Sequence, residues 1–189
     1  MADNDHICPV ARAGGLDSKF RRWFHNPQTI LKPFIKPGMT VADLGCGPGF
    51  FTLDMAHMVG ESGKVIAVDL QEGMLKKLEK KIHSSKLKDR IALHKCAEDR
   101  LGITEEVDFI LAFYMVHEVP HQGRFFKEVE SILKTNGLML IVEPPLHVSQ
   151  NAFKQMIRNA KDVGLIVREG PKISFNKTAI IRATLKSGW

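Results

Sequence analysis

The sequence predicts a single α/β domain in which a doubly wound, seven-stranded, mostly parallel sheet lies between two layers of helices. Three observations predict this fold class: short apolar runs bounded by turn residues, helix-period segments that alternate with them, and a length of 189 residues, which suits one domain. The predicted strands occupy residues 40–44, 65–69, 90–94, 107–113, 138–142, 164–168 and 173–184.

Three helices are predicted between the strands, because apolar residues three and four positions apart share one face of a helix. The apolar stripes are Met74, Leu75, Leu78 and Ile82; Phe125, Phe126, Val129, Ile132 and Leu133; and Phe153, Met156, Ile157 and Ala160. Residues 97–106 leave room for barely one helical turn, so one crossover is abbreviated. Gly170-Pro171 predicts that the last strand returns antiparallel as a hairpin. With helices on both faces of the sheet, the predicted architecture has three layers, α/β/α.

The first 38 residues are predicted to form a helical lid in front of a core domain that spans residues 39–189. An apolar stripe at helical spacing consists of Leu16, Phe20, Trp23 and Phe24. Pro27 favours the start of a second, short helix, and Pro37-Gly38 then turns the chain into the first strand. Because the apolar stripe needs a partner, we expect it to close over a pocket and exclude water.

The composition predicts an ordinary globular protein of the cytoplasm. Hydrophobic residues make up 44% and charged residues 25%, and the longest apolar run, residues 109–116, is too short to cross a bilayer. Asp3 and Asp5 stand where a secretion signal would carry positive charge. Three widely spaced cysteines argue against a disulfide framework and favour a reducing compartment. We therefore expect no membrane partner.

A glycine-rich loop follows the first predicted strand directly. The strand at residues 40–44 runs into Gly45-Cys46-Gly47-Pro48-Gly49, and a helix is predicted to start near Phe50. Glycine permits the turn and lets a ligand approach the main chain closely. Phe50 occupies the place of the third glycine of the dinucleotide fingerprint, whereas Asp69, at the end of the second strand, can accept both hydroxyls of a ribose. A ligand with adenosine but no pyrophosphate suits this pattern.

Residues 41–53 and 65–74 resemble the first two motifs of the class I, seven-stranded S-adenosylmethionine-dependent methyltransferases, and the likeness extends over residues 39–185. The resemblance implies S-adenosylmethionine as cofactor and S-adenosylhomocysteine as product. It also implies that the glycine loop surrounds the methionine portion, that Asp69 holds the ribose, and that Leu70 and Met74 flank the adenine. Lys95-Cys96-Ala97-Glu98 stands where the family often has Gly-Asp-Ala-Glu. The predicted cofactor-binding residues are Asp43, Gly45, Cys46, Gly47, Asp69, Leu70, Met74, Cys96, Ala97, Glu98, Ala112 and Phe113.

The methyl acceptor is expected beyond the ends of the fourth and fifth strands, since ligands of open α/β sheets bind at the carboxyl ends of the strands. Polar groups that gather there are Tyr114, His117, Glu118, His121, Glu143 and His147. Transfer from a sulfonium needs alignment of donor and acceptor, and a base helps only when the acceptor carries a proton. The candidate catalytic residues are His117, His147 and Glu143. The alternative for each is a structural role, in which a histidine caps a loop or fills space and the carboxylate caps a turn.

The favoured function is methyl transfer to a small-molecule acceptor, because no nucleic-acid module is added to the core. The net charge of +6 keeps an RNA methyltransferase open as an alternative, although the lysines of residues 76–95 fall mostly on predicted helix surfaces. A non-catalytic cofactor-binding module or partner subunit is a further alternative. Ala112-Phe113-Tyr114-Met115 differs from the Asn-Pro-Pro-Tyr of relatives that methylate amino groups of nucleobases. No metal is expected, since His6 and Cys8 alone are a weak ligand pattern.

Overall fold

The computed structural model describes residues 25–184, whose core is one seven-stranded sheet. Its strands are β1 Thr40–Leu44, β2 Lys64–Asp69, β3 Ile91–Lys95, β4 Val107–Phe113, β5 Leu133–Glu143, β6 Ile166–Glu169 and β7 Lys177–Arg182. The spatial order is β3-β2-β1-β4-β5-β7-β6. Strands β1 to β5 pair in parallel, and β7 is antiparallel to both β5 and β6. The predicted mostly parallel sheet with an antiparallel C-terminal strand is confirmed.

Five α-helices connect and cover the described strands: α1 Pro27–Leu31, α2 Thr52–Val59, α3 Glu72–Ile82, α4 Gln122–Ile132 and α5 Gln150–Asp162. Polar side chains start two of them. The Asn26 side chain accepts a hydrogen bond from the Gln28 amide before α1, and Ser149 does the same for Ala152 at α5. Within residues 25–184, no helix is both long enough and apolar enough to cross a membrane.

Buried side chains form two apolar clusters, one on each face of the sheet. Met55 of α2 and Leu78 of α3 belong to the first cluster, and Phe126 of α4 and Met156 of α5 belong to the second. Neighbouring residues of β1 divide between them, because successive side chains of a strand point to opposite faces. This division confirms the doubly wound, three-layer α/β/α architecture.

Two strand starts differ markedly from those that the sequence predicts. Strand β5 begins at Leu133 because α4 passes into it without a loop, and Leu133 pairs with Val107 before the register shifts. Strand β7 begins only at Lys177, so residues 170–176 form a longer connection than the tight hairpin expected at Gly170-Pro171. The crossover between β3 and β4 is abbreviated, as predicted, and contains a turn in which Ala97 and Arg100 exchange backbone hydrogen bonds.

The predicted apolar stripe of the lid lies outside the described residues. The part of the N-terminal segment that is described packs against the sheet, because Ile30, Leu31 and Ile35 are all buried in the first apolar cluster. Proline at the first helical position and Pro33 shortly after its end limit α1 to five residues. A domain boundary at residue 38 therefore stays a prediction, and residues 27–35 are part of the described core.

Candidate functional site

A cavity of about 470 Å³ opens where the strand order reverses. From β1 the chain continues to β2 and β3 on one side, and β4 then pairs with β1 on the other side. A crevice outside the carboxyl ends of the strands forms at such a reversal. The cavity walls come from the loop after β1, the end of β2, the loop after β3 and the segment after β4. Its size falls in the range of small-molecule pockets.

Positive φ angles shape the glycine-rich loop at the floor of the cavity. Gly45 has φ 69° and Gly47 has φ 55°, and the Cys46 amide between them donates to the Val68 carbonyl at 3.0 Å. A Cβ atom on Gly45 would lie 2.9 Å from Cβ of Met115, whereas one on Gly47 would meet no atom within 4 Å. Gly45 is therefore required by packing and conformation, and Gly47 leaves its main chain open to a ligand.

Two buried carboxylates flank this loop. Asp43 accepts a hydrogen bond of 2.6 Å from the Thr52 hydroxyl at the start of α2. Asp69 accepts bonds of 2.8 Å from the amides of Gly47 and Gln71, one on each oxygen. Burial raises the pKa of Asp69, and these two hydrogen bonds oppose the rise. Because each carboxylate oxygen has a second lone pair, Asp69 can hold the loop and still accept two hydroxyls of a ribose.

The loop after β3 forms another wall of the cavity. Leu70, Met74, Cys96, Ala97 and Glu98 all line the cavity, and the turn at residues 97–100 closes the loop. From α4, Oε2 of Glu128 accepts the amides of Leu101 at 2.9 Å and Gly102 at 3.1 Å. One carboxylate on a helix thus anchors the end of this loop.

Both cysteines at the cavity are poor nucleophiles. Burial, followed by the charges of Asp43 and Asp69, raises the pKa of Cys46 well above its ordinary value. Burial and then the charge of Asp69 raise the pKa of Cys96 to about 11. Both thiols are therefore protonated near neutral pH, and the thiolate rather than the thiol is the nucleophilic form.

A histidine and a fully buried glutamate form a pair at the side of the cavity that follows β4. Oε2 of Glu143, at the end of β5, lies 2.6 Å from Nδ1 of His117, and Oε1 accepts the His117 amide at 3.2 Å. The hydrogen bond to Glu143 raises the pKa of His117, although partial burial opposes the rise. Because Nδ1 is engaged, Nε2 is the ring nitrogen left for a ligand.

Glu118 follows His117 and also lines the cavity. Its pKa is raised to about 7, mainly by burial; the charges of Glu143 and Asp69 add to the rise, and the neighbouring histidine opposes it. The pKa of Glu118 therefore lies near neutral pH, and the pKa of its neighbour His117 lies above the ordinary value of 6.5. Closely spaced groups of this kind titrate as a coupled set.

Tyr114, the residue directly after β4, has a strained backbone conformation with φ 63°. Its hydroxyl donates to Oδ1 of Asn176 at 2.7 Å and lies 3.1 Å from Nε2 of His25. Non-glycine residues in this region of φ are uncommon and cluster at functional sites. The hydroxyl joins the start of the described chain to the connection between β6 and β7.

The structure brings most of the predicted site residues together. Those that line the cavity are Asp43, Gly45, Cys46, Gly47, Asp69, Leu70, Met74, Cys96, Ala97, Glu98, Phe113 and His117. Glu143 is not itself among the lining residues but hydrogen-bonds His117, which is. Ala112 is fully buried in the second apolar cluster, and His147 is exposed in the turn after β5, so neither is among the lining residues. Sequence reasoning missed Thr52 and Glu128, since only tertiary packing brings them to these loops.

The strand order, the glycine-rich loop and the carboxylate at the end of β2 define the class of Rossmann-like S-adenosylmethionine-dependent methyltransferases. Residues 35–178 match the family model described as a methyltransferase domain. The chain belongs to this family, and S-adenosylmethionine is the cofactor of its site.

Relatives of known name agree with this assignment. Demethylmenaquinone methyltransferase of Lactobacillus johnsonii is 29% identical, over 79% of this chain and 65% of the relative. The Bacillus cereus enzyme of the same name is 29% identical, over 66% of this chain and 52% of the relative. The chain thus spans between half and two thirds of the length of these relatives. The crystal structure of an S-adenosylmethionine-dependent methyltransferase from Aquifex aeolicus matches with a TM-score of 0.82 at 27% identity, covering 95% of this chain and 100% of that one.

Proposed function

We propose that this protein transfers the methyl group of S-adenosylmethionine to a small-molecule acceptor that binds beside His117. The observation that carries the proposal is the pair of His117 and the buried Glu143, which borders the same cavity as the glycine-rich loop. A base at this position and a loop for the donor would together hold both reactants of a transfer reaction. The names of the curated relatives support an organic acceptor of small size.

The residues at the cavity fit the adenosine and methionine portions of the cofactor. Gly47 leaves open space where any other residue would place a Cβ atom, and Asp69 retains lone pairs for the ribose hydroxyls. We assign Leu70 and Met74 to the two sides of the adenine, and residues 96–98 to its edge. When bound, S-adenosylmethionine supplies a methyl group made electrophilic by the sulfonium sulfur.

His117 is the proposed general base. Glu143 orients the ring and favours the tautomer with the proton on Nδ1, which leaves Nε2 with a lone pair toward the cavity. In the proposed step Nε2 takes the proton of the acceptor, and the electron pair of the acceptor forms the bond to the methyl carbon. The carbon–sulfur bond breaks, and its electron pair stays on sulfur. The acceptor is therefore of the protic class, such as a phenolic hydroxyl or a thiol.

The distribution of positive charge favours this acceptor over RNA. The basic face of α3 carries Lys76, Lys77, Lys80 and Lys81. Lys76 pairs with Glu72 at 2.8 Å, and Nζ of Lys81 donates to the Pro48 carbonyl at 2.6 Å. Helix α3 flanks β2 and β3, whereas His117 follows β4, on the other side of β1. These lysines are therefore poorly placed to guide a polynucleotide toward the base.

The experiment is a methyl-transfer assay with isotopically labelled S-adenosylmethionine and a panel of phenols, hydroquinones, thiols and total RNA. We expect label in a protic small molecule and none in RNA. His117→Gln should lower the rate by about 10²–10⁴ without weakening cofactor binding, since a positioned base contributes that much. His57→Gln, on the exposed face of α2, is the matched control and should retain the rate. Cofactor binding without transfer to any acceptor would instead favour a non-catalytic module.

A further inference from the structure

Two large apolar side chains stand almost fully in solvent at the same end of the sheet as the cavity. Leu146, in the turn after β5, is 94% exposed, and Phe175, in the turn before β7, is 91% exposed. These strands are neighbours, with Glu143 opposite Lys177 in the register. Nζ of Lys177 also donates to the Pro145 carbonyl at 3.4 Å. The two turns therefore lie side by side.

Backbone hydrogen bonds and buried residues at the base of each turn fix its conformation. In the first, the Val148 amide donates to the Pro144 carbonyl at 3.1 Å, and both residues are buried. In the second, the Asn176 amide donates to the carbonyl of the buried Ile173 at 3.0 Å. Ser174 within that turn has φ 47°, a conformation that costs energy in a residue other than glycine. Folding alone does not require an apolar residue at either tip.

The same turns border the acceptor side of the site. Asn176, next to Phe175, accepts the hydroxyl of Tyr114, which lines the cavity. Glu143, which orients His117, lies three residues before Leu146 on the same strand end. A partner that binds Leu146 and Phe175 together would therefore lie close to the side of the cavity where we place the methyl acceptor.

The basic residues in the two turns favour a partner with a negatively charged surface. Residues 144–149 and 170–178 contain Lys172, Lys177 and His147 and no Asp or Glu. The chain as a whole carries a net charge of +6. Exposed bulky apolar side chains flanked by cations are the chemistry of interfacial membrane binding, in which the apolar groups enter the lipid and the cations meet acidic headgroups.

We propose that Leu146 and Phe175, with Lys172 and Lys177, form a docking surface for the headgroup region of an anionic lipid bilayer. The surface would bring the acceptor side of the pocket to the membrane. This inference departs from the sequence-based expectation of no membrane partner, because neither apolar residue stands out from its neighbours in the sequence. It is independent of the proposed function, since binding to lipid requires neither cofactor nor turnover.

The test is co-sedimentation of the full chain with phosphatidylcholine vesicles that contain about one third phosphatidylglycerol, and with vesicles of phosphatidylcholine alone. We expect binding to the anionic vesicles, weakened by salt, and little binding to the neutral ones. The double variant Leu146→Ser, Phe175→Ser should bind at least about tenfold more weakly. Ile166→Ser is the matched control, because Ile166 is also exposed but starts β6 at the opposite end of the sheet. Calorimetry with S-adenosylmethionine should give one affinity for all three proteins and shows that the variants fold.

A second measurement locates the contact directly. Phe175→Trp should add fluorescence that brominated acyl chains quench, relative to the same measurement on the unsubstituted chain. Equal vesicle binding by the double variant and the unsubstituted chain would overturn the proposal, as would absence of binding to anionic vesicles at low salt. A concentration-dependent dimer that the double variant loses, without lipid binding, would assign the surface to a second copy of the chain instead.

Discussion

At the scale of single residues, the site depends on backbone conformations and burial that few other residues could supply. Gly47 and Gly164 illustrate this, since both have positive φ and both would place a Cβ atom in open space. Of these two glycines, Gly47 lines the cavity and Gly164 does not. A substitution at Gly164 therefore measures the cost of backbone strain alone. The same substitution at Gly47 measures that cost together with the cost of filling the binding site.

We predict that Gly47→Ala lowers both stability and cofactor affinity. A left-handed alanine costs about 1–2 kcal/mol, and its methyl group would occupy space that the ligand needs. Gly164→Ala should lose a similar amount of stability and no affinity. Thermal unfolding and calorimetric titration with S-adenosylmethionine measure the two quantities. Equal affinities for the two variants would show that the main chain at Gly47 does not contact the cofactor.

The pair of His117 and Glu143 yields a pH prediction. The pKa of His117 is raised above its ordinary value of 6.5 mainly by the hydrogen bond to Glu143. Glu143→Gln removes the negative charge, so the pKa of His117 should fall and the neutral, basic form should persist to lower pH. The ring proton of His117, followed by NMR across the pH range and assigned with His117→Gln, checks this expectation.

Glu118 provides the control for this titration, since it adjoins His117 and its pKa is raised to about 7. Glu118→Gln removes that group and should simplify the titration curve of His117 without abolishing it. An unchanged midpoint in Glu143→Gln would mean that Glu143 positions the ring without setting its charge.

At the scale of elements, helix α4 stabilises the β3–β4 loop in the place where the fold lacks a crossover helix. Glu128 accepts the amides of Leu101 and Gly102, and Nε2 of His94 lies 2.7 Å from the Leu101 carbonyl. The loop therefore has partners on α4 and on β3. A loop held in this way presents its turn to the proposed adenine site with little conformational freedom to lose on binding.

We predict that Glu128→Ala raises the KM for S-adenosylmethionine while leaving kcat largely unchanged. Two amides lose a charged acceptor, and each such hydrogen bond contributes about 1.5–3 kcal/mol to the ordered form of the loop. Glu130→Ala, on the same helix, is the control and should leave the KM unaltered. A fall in kcat at constant KM would instead place Glu128 in the transfer step.

At the scale of the whole molecule, the site joins the two apolar cores. The glycine-rich loop packs through Cys46 and Phe50 into the first cluster, and residues 115 and 116 after β4 pack against the second. A ligand that contacts both loops binds the folded state alone, because the unfolded chain does not assemble the cavity. Binding energy therefore adds to folding stability.

We predict that S-adenosylmethionine at about 100 times its Kd stabilises the protein by about 2.7 kcal/mol. For a chain of this size the Tm should rise by about 5–10 °C. Differential scanning fluorimetry measures the shift, and NAD serves as the control ligand that should produce none. Asp69→Asn should lose most of the shift, whereas Asp108→Asn, which bonds the Thr40 amide at the other end of the sheet, should keep it. A shift with NAD alone would contradict the cofactor assignment.

The sequence by itself determined the fold class, the glycine-rich loop and the carboxylate of Asp69, because these depend on local patterns. Alternating apolar periods predict strands and helices, and a loop between β1 and α2 needs glycines whatever surrounds it. The predicted strand boundaries were wrong where contacts with neighbouring strands determine them. By its spacing, Leu133 fits the apolar stripe of α4 as well as it fits a strand. Its pairing with Val107 makes it the first residue of β5.

Only the tertiary structure decided which polar residues meet. His117 and His147 are equivalent by residue type and by position after a strand, but Glu143 at the end of β5 hydrogen-bonds His117, whereas His147 is exposed in the turn after β5. Glu128, Thr52 and the exposed tips Leu146 and Phe175 likewise carry no signal in the chain order. Their roles arise from distances between segments far apart in sequence, which local propensity does not encode.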